Sequence, residues 1–114
     1  MTVTIYHNPR CSKSRQALEL LRAKGVEPKI VEYLKTPPDA AELGRILKLM
    51  GKSPRDIVRR KEAAEAGIDP STMSDDALLQ AMARHPAVIE RPIVVKGSKA
   101  ALGRPPEAVI RVIE

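Results

Sequence analysis

The chain has little cysteine: Cys11 is the only one among its 114 residues. A single cysteine cannot close an intramolecular disulfide, so the disulfide-stapled folds of small secreted proteins are excluded. No familiar zinc pattern can be built either, because the two histidines, His7 and His85, are far apart in the sequence. Any covalent intermediate on Cys11 must therefore be resolved by water or by an external thiol. We expect a protein of the reducing cytoplasm, without a bound metal.

Aromatic residues and long apolar runs are scarce too. Tyr6 and Tyr33 are the only members of the Phe, Trp and Tyr group, too few for stacking on single-stranded nucleic acid. No apolar run approaches the ~20 residues that span a bilayer, and nothing resembles a signal peptide. The net charge of +6 then favours a small anionic substrate over nucleic acid or a membrane.

The residues around Cys11 predict a strand, a turn and a helix. Residues 2–6 are β-branched and aromatic, which is typical of a strand. Residues 16–24 are strong helix formers that stop at Gly25. Pro9 lies between the two and cannot donate to a strand ladder. Cys11 is therefore expected at or beside the first turn of the helix.

This position favours a reactive thiolate. Helix N-termini with basic neighbours lower a cysteine pKa from ~8.5 to roughly 3.5–7.5. Three cations, Arg10, Lys13 and Arg15, lie within four residues of Cys11. The alternative, an inert buried cysteine, suits a turn with three cations poorly. Ser14 stands where a C-x-x-C pair has its second cysteine, so the motif is not a dithiol pair.

The order of predicted elements indicates one α/β domain over residues 1–114. A second strand at 29–34 follows the first helix, which predicts a right-handed βαβ unit with parallel strands. Helices are predicted over roughly 39–86, and two further strands within 92–102 precede a last helix at 107–113. This order is that of a thioredoxin-like (glutaredoxin-like) mixed β-sheet flanked by helices, with an inserted helical segment.

Capping residues locate the helices of the inserted segment. Asp39 and Ser74 are the expected N-caps of the second and fourth helices of the chain. Ser53, followed by proline at the first helical position, predicts a third helix that continues to about Gly67. Arg59 would then be an interior residue of this third helix.

Two arginines are followed by proline at a strand boundary. Arg91-Pro92 leads into the third strand, and Arg104-Pro105 follows the fourth. Pro92 is well placed to be a cis-proline. In a thioredoxin-like fold the loop before the third strand lies against the helix start that carries the cysteine. We therefore expect both guanidinium groups to be held in fixed directions, unlike an ordinary solvated arginine.

Three motifs resemble the ArsC family of glutathione/glutaredoxin-dependent arsenate reductases. In chain order they are His7-Asn8-Pro9-Arg10-Cys11, Arg91-Pro92-Ile93-Val94-Val95 and Gly103-Arg104-Pro105-Pro106-Glu107. The resemblance covers the chain from Ile5 to the last helix and is greatest to short, little-characterised members. It implies an oxidoreductase that acts in arsenic detoxification through a redox-active cysteine.

The resemblance also implies a role for each site residue. Cys11 would attack arsenate, His7 would lie close to its sulfur, and Ser14 would donate a hydrogen bond to the same sulfur. The implied oxyanion-binding residues are three arginines: Arg59, Arg91 and Arg104. Arg60 is adjacent to Arg59 and could take its place, although the alignment of neighbouring residues favours Arg59.

Glutathione as co-substrate and glutaredoxin as protein partner are implied as well, with no bound metal or flavin. Glutathione would attack the thioarsenate adduct on Cys11, and glutaredoxin would remove the glutathione as arsenite leaves. Two alternatives stay open. One is an Spx-type regulator that binds RNA polymerase, although Ser14 forbids the C-x-x-C switch that many of these carry. The other is a monothiol reductase of a different oxidised substrate.

Overall fold

Four strands, five α-helices and four short 3₁₀ turns form residues 2–114, the part of the chain that the computed structural model describes. The strands are β1 (Val3–His7), β2 (Lys29–Glu32), β3 (Ile93–Lys96) and β4 (Lys99–Leu102). The helices are α1 (Ser12–Ala23), α2 (Ala40–Met50), α3 (Arg60–Glu65), α4 (Asp75–Arg84) and α5 (Ile110–Ile113).

These elements divide into two compact units. The sheet unit contains the residues up to Thr36 together with Arg91–Glu114, and the helical unit is Pro37–Glu90. The helical unit includes the predicted insertion of residues 39–86 and extends slightly beyond it at both ends. Within residues 2–114, none of the helices has both the length and the hydropathy that a membrane crossing requires.

A four-stranded sheet in the order β2-β1-β3-β4 is the centre of the sheet unit. β1 pairs in parallel with β2, where Ile5 lies opposite Ile30, and antiparallel with β3, where Ile5 lies opposite Val94. β3 pairs antiparallel with β4. The sheet is therefore mixed, and the predicted βαβ unit with parallel strands is confirmed because α1 connects β1 to β2.

The side-chain periodicities of β1 and α1 bring two polar side chains, those of His7 and Ser14, next to the apolar core. The buried residues of β1 are Val3, Ile5 and His7. The buried residues of α1 are Ser14, Ala17, Leu18 and Leu21. The apolar members of both sets pack in one cluster with Val94, Val109 and Val112. A period of two along β1 and of 3.6 along α1 thus buries His7 at the end of the strand and Ser14 at the start of the helix.

In the helical unit, the prediction of a continuous third helix from Ser53 to about Gly67 is wrong for its first half. Pro54–Asp56 forms only a 3₁₀ turn, and α3 begins at Arg60. The backbone between them pairs with the segment before β3, as when the Glu90 N–H donates to the Ile57 carbonyl at 2.7 Å. These hydrogen bonds use backbone groups that a continuous helix needs. Arg59 is consequently the N-cap of α3 and not an interior residue.

The other two helix starts of this unit agree with the capping residues. Asp39 accepts a hydrogen bond from the Glu42 N–H at 2.8 Å, and Ser74 accepts one from the Ala77 N–H at 3.1 Å. Each side chain satisfies an N–H group that the first helical turn leaves free. The predicted N-caps of α2 and α4 are therefore confirmed.

Both arginine–proline bonds at the strand boundaries are cis, which confirms the prediction for Pro92 and adds a second at Pro105. Between them, Gly103 lies against Pro92. A Cβ on Gly103 would come within 2.6 Å of Pro92 Cγ, and the Gly103 N–H donates to the Pro92 carbonyl at 2.8 Å. Only glycine fits this approach, and the contact fixes the point from which Arg104 extends.

Candidate active site

Cys11 lies in the turn that joins β1 to α1. Asn8 closes this turn: its carbonyl accepts the Cys11 N–H at 3.0 Å, and its Oδ1 accepts the Arg10 N–H at 3.0 Å. Cys11 is the N-cap of α1, with extended backbone at φ −91° and ψ 122°, and it is partly exposed. This confirms its expected place at the helix start. Sequence reasoning did not single out Asn8, although Asn followed by proline is a turn signal.

The surroundings of Cys11 lower the pKa of its thiol below the ordinary value. Burial, the largest single influence, raises this pKa. The N–H of Ser14, a side-chain hydrogen bond and the positive charge from Arg91, and the N–H of Lys13 lower it, and together they outweigh burial. The direction agrees with an activated thiolate. The cation responsible is Arg91, which the fold brings to the sulfur from the far part of the sequence.

Arg104 and Arg91 flank the sulfur. The Arg104 Nη2 lies 3.7 Å from the Cys11 Sγ, and the Arg104 Nε donates to the Arg91 carbonyl at 2.8 Å. Arg104 is exposed, so an anion can reach it from solvent. Arg91 is half-buried, and its Nε is a buried donor that has no hydrogen-bond partner within residues 2–114. Two of the three predicted arginines therefore meet at the predicted nucleophile.

Ser14 and His7 form a buried polar pair next to the turn. The Ser14 Oγ lies 2.6 Å from His7 Nδ1 and accepts the Asn8 N–H at 3.1 Å. The hydroxyl is thus engaged by His7 and Asn8, and the influence of Ser14 on the sulfur of Cys11 comes from its backbone N–H. This differs from the hydroxyl–sulfur hydrogen bond that the resemblance implies. The hydroxyl ties the end of β1 to the first turn of α1.

His7 is buried, and its ring contacts Ser14. Burial, the largest influence, lowers the pKa of His7; the charges of Arg22 and Arg15 lower it further, against the opposing charge of Glu32. The imidazole is therefore neutral at pH 7 and supplies no positive charge to a thiolate. In this structure the His7 ring contacts the Ser14 hydroxyl, and the place of His7 close to the Cys11 sulfur stays a prediction.

Arg59, the third predicted arginine, belongs to the helical unit. Its Nε donates to Glu62 at 3.0 Å and its Nη1 donates to Glu90 at 2.7 Å, with 23% of the side chain exposed. Two carboxylates thus fix the direction of the guanidinium. Arg60 is exposed and forms no ion pair among the residues that the structure describes. The two neighbours are therefore distinguished by their partners, and neither glutamate was singled out from the sequence.

The assembled site combines one nucleophile with two guanidinium groups. Arginine pairs with oxyanions through a planar fork of donors and keeps its charge at all working pH values. Within residues 2–114, no group of three or more His, Cys, Asp or Glu side chains is arranged to hold a metal ion. The arrangement can bind an oxyanion and present its central atom to a thiolate.

Comparison with known proteins points the same way. The chain matches the model of the ArsC family over residues 6–112. It is 52% identical to the uncharacterized protein YfgD of Escherichia coli K12, over 97% of this chain and 96% of that protein. It is 48% identical to an arsenate reductase of Neisseria meningitidis serogroup A, over 97% of each. Its structure matches an arsenate reductase from Vibrio cholerae with a TM-score of 0.91 and 48% identity, over 98% of each chain. This likeness confirms the thioredoxin-like fold class.

Proposed function

Because this chain belongs to the ArsC family, we propose that it is an arsenate reductase with Cys11 as its nucleophile. The observation that carries the proposal is the position of Arg104 Nη2, 3.7 Å from the Cys11 sulfur. An anion bound by Arg104 would present its central atom to a thiol whose pKa is lowered. Relatives at 48% identity that are named arsenate reductases support the same substrate.

In the first step the Cys11 thiolate attacks arsenic(V). An S–As bond forms, and one arsenate oxygen leaves as water after protonation. Arg91 and Arg104 bind the remaining oxygens through charge-assisted hydrogen bonds, which stabilise the negative charge on them. Arsenic is still As(V) in this adduct, so the electrons must come from a later step.

The two electrons come from external thiols, since the chain has no second cysteine to supply them. The sulfur of glutathione bonds to arsenic with loss of a second water, and a glutaredoxin thiolate then attacks that sulfur. The new disulfide leaves its electron pair on arsenic, which becomes As(III). Water then displaces Cys11, which returns as a thiol while arsenite departs. In sum, arsenate and two thiols give arsenite, one disulfide and one water, a reaction suited to the reducing cytoplasm.

The test is NADPH-coupled turnover of arsenate with glutathione, glutathione reductase and glutaredoxin. We expect turnover that requires both glutathione and glutaredoxin, and none with Cys11→Ser, because no other thiol can substitute. A Cys11→Ser variant that turns over at the wild-type rate would show that the chemistry lies elsewhere. Efficient turnover with thioredoxin alone would contradict the external-thiol mechanism, because Cys11 cannot form the intramolecular disulfide that thioredoxin reduces.

The same assay separates the alternatives. A monothiol reductase would act on a glutathionylated substrate at least as fast as on arsenate. An Spx-type regulator would show no turnover and would retain RNA polymerase in a pull-down. The regulator is not favoured, because the relatives at 48% identity carry the name arsenate reductase.

A further inference from the structure

Two cations beside the nucleophile, Arg10 and Lys13, have no part in the proposed attack on arsenate. Both residues are exposed, and neither side chain makes a hydrogen bond or an ion pair within residues 2–114. The first turn of α1 contains no acidic residue, whereas Arg22 in its last turn is paired with Glu27 at 2.9 Å. We call these two exposed cations, which lie on either side of Cys11 in the chain, the cationic rim.

The side-chain charges of this cationic rim are not what lowers the pKa of the Cys11 thiol. The cation that lowers the pKa of Cys11 is Arg91, and a compact oxyanion at the sulfur already meets Arg91 and Arg104. Arg10 directly precedes Cys11 and Lys13 lies in the first turn of α1, so both are close to Cys11 in the chain, and both side chains are exposed. Charges placed in this way act on a molecule that is larger than the oxyanion and approaches from solvent.

In the proposed reaction that molecule is the external thiol. We propose that the cationic rim recognises the carboxylates of a small anionic thiol and so selects the thiol that resolves the Cys11 adduct. The sulfur of this thiol reaches the adduct while its carboxylates pair with Arg10 and Lys13. The identity of the adduct rests on the proposed function. The charge selectivity does not, because it applies to any thiol–disulfide exchange at this sulfur.

The expected size of the effect follows from Coulomb's law. One unit charge at about 7 Å from another in water changes the rate of encounter roughly threefold at low salt. Reversing both cations changes the charge of the rim by four units, so the preference for an anionic reagent should fall by at least about tenfold. Because the charges are exposed, salt near 1 M should remove most of the preference.

Exchange with disulfides of different charge tests the proposal without arsenate. The Cys11 thiolate attacks one sulfur of the reagent, a mixed disulfide forms on Cys11, and the other half leaves as a thiolate. The probes are glutathione disulfide (anionic), hydroxyethyl disulfide (neutral) and cystamine (cationic). Each rate is divided by the rate with neutral iodoacetamide, which corrects for any change in the thiolate fraction. We expect the order anionic, neutral, cationic for the wild-type chain at low salt.

The test variant is Arg10→Glu/Lys13→Glu, and its matched control is Lys24→Glu/Lys29→Glu, which changes two other exposed lysines of the sheet unit by the same charge. The test variant should lose or reverse the order, and the control should keep it. An unchanged order in the test variant, or an equal change in the control, would overturn the proposal.

Steady-state kinetics then links the rim to the proposed reaction. In arsenate turnover the test variant should raise KM for glutathione at least about tenfold. Charge-selective exchange in a chain that does not reduce arsenate would refute the proposed function and leave the rim in place. Arsenate turnover without charge selectivity would refute the rim alone.

Discussion

Replacement of Arg104 by alanine should separate anion binding from thiol activation. Arg104 is exposed and touches the site through two nitrogens: Nη2 at 3.7 Å from the Cys11 sulfur and Nε at 2.8 Å from the Arg91 carbonyl. Arg91 is the cation whose hydrogen bond and charge lower the pKa of Cys11 most. Arg104→Ala should therefore weaken oxyanion binding and raise the thiol pKa less than Arg91→Ala does.

The magnitude follows from the bonds that the substrate would lose. A hydrogen bond to a charged group contributes about 1.5–3 kcal/mol, which corresponds to a fall of about 10- to 100-fold in kcat/KM for arsenate. The free energy of unfolding should decrease by no more than about 1 kcal/mol, because Arg104 is exposed and its hydrogen bond to the Arg91 carbonyl contributes little there. Arg104→Lys should recover part of the activity, because it keeps the charge but not the planar fork.

Two measurements are needed for each of Arg104→Ala, Arg104→Lys and Arg91→Ala: kcat/KM for arsenate, and the rate of iodoacetamide alkylation against pH. Arg91→Ala should reduce kcat/KM and also move the alkylation inflection to higher pH, since it removes a donor and a charge that lower the pKa. The reasoning is refuted if Arg104→Ala keeps kcat/KM within threefold of wild type, or if it moves the inflection as far as Arg91→Ala does.

Three further outcomes can be checked. In the wild-type chain the alkylation rate should rise with pH through an inflection below ~8.5, because a lowered pKa makes the thiolate dominant at lower pH; an inflection at or above 8.5 would contradict the activated thiolate. Arg59→Ala should lower the unfolding free energy by about 1–2 kcal/mol in urea titrations, because Glu62 and Glu90 each lose a hydrogen bond with Arg59. It should also reduce kcat/KM, because the resemblance assigns Arg59 to the oxyanion, whereas Arg60→Ala should do neither; the reverse result would assign the oxyanion-binding role to Arg60. Gly103→Ala should lower both the Tm and the arsenate kcat/KM, since its Cβ would meet Pro92 at 2.6 Å; a wild-type Tm would show that the loop can yield.

Patterns of neighbouring residues in the sequence were sufficient to predict the backbone elements that hold the site. The strand, turn and helix around Cys11, the caps at Asp39 and Ser74, and the cis-proline at Pro92 each depend on residues that are neighbours in the chain. Their physical causes, such as a side chain that satisfies a free N–H group, act over three or four residues. A pattern of that length can be recognised in the sequence without knowledge of the fold.

The features that sequence reasoning missed depend on partners distant in the chain. The neighbours of residues 57–59 predict a helix, but the backbone of this segment instead forms hydrogen bonds with residues 88–90. The Ser14 hydroxyl had several equally good partners, and only the burial of His7 on the same face decides between them. The hydrogen bond between Arg59 and Glu90 likewise joins residues that are 31 positions apart in the chain, and no pattern of neighbouring residues predicts it.

The sheet unit is made of two stretches of chain, up to Thr36 and from Arg91 onward. The nucleophile belongs to the first stretch and both flanking arginines to the second. On the ribosome, therefore, Cys11 emerges long before the cation that activates it. A chain that ends before Arg91 has neither β3 nor the two flanking arginines. The full set of groups that lowers the pKa of Cys11 therefore exists only once residues 91–104 have been made and have joined the sheet.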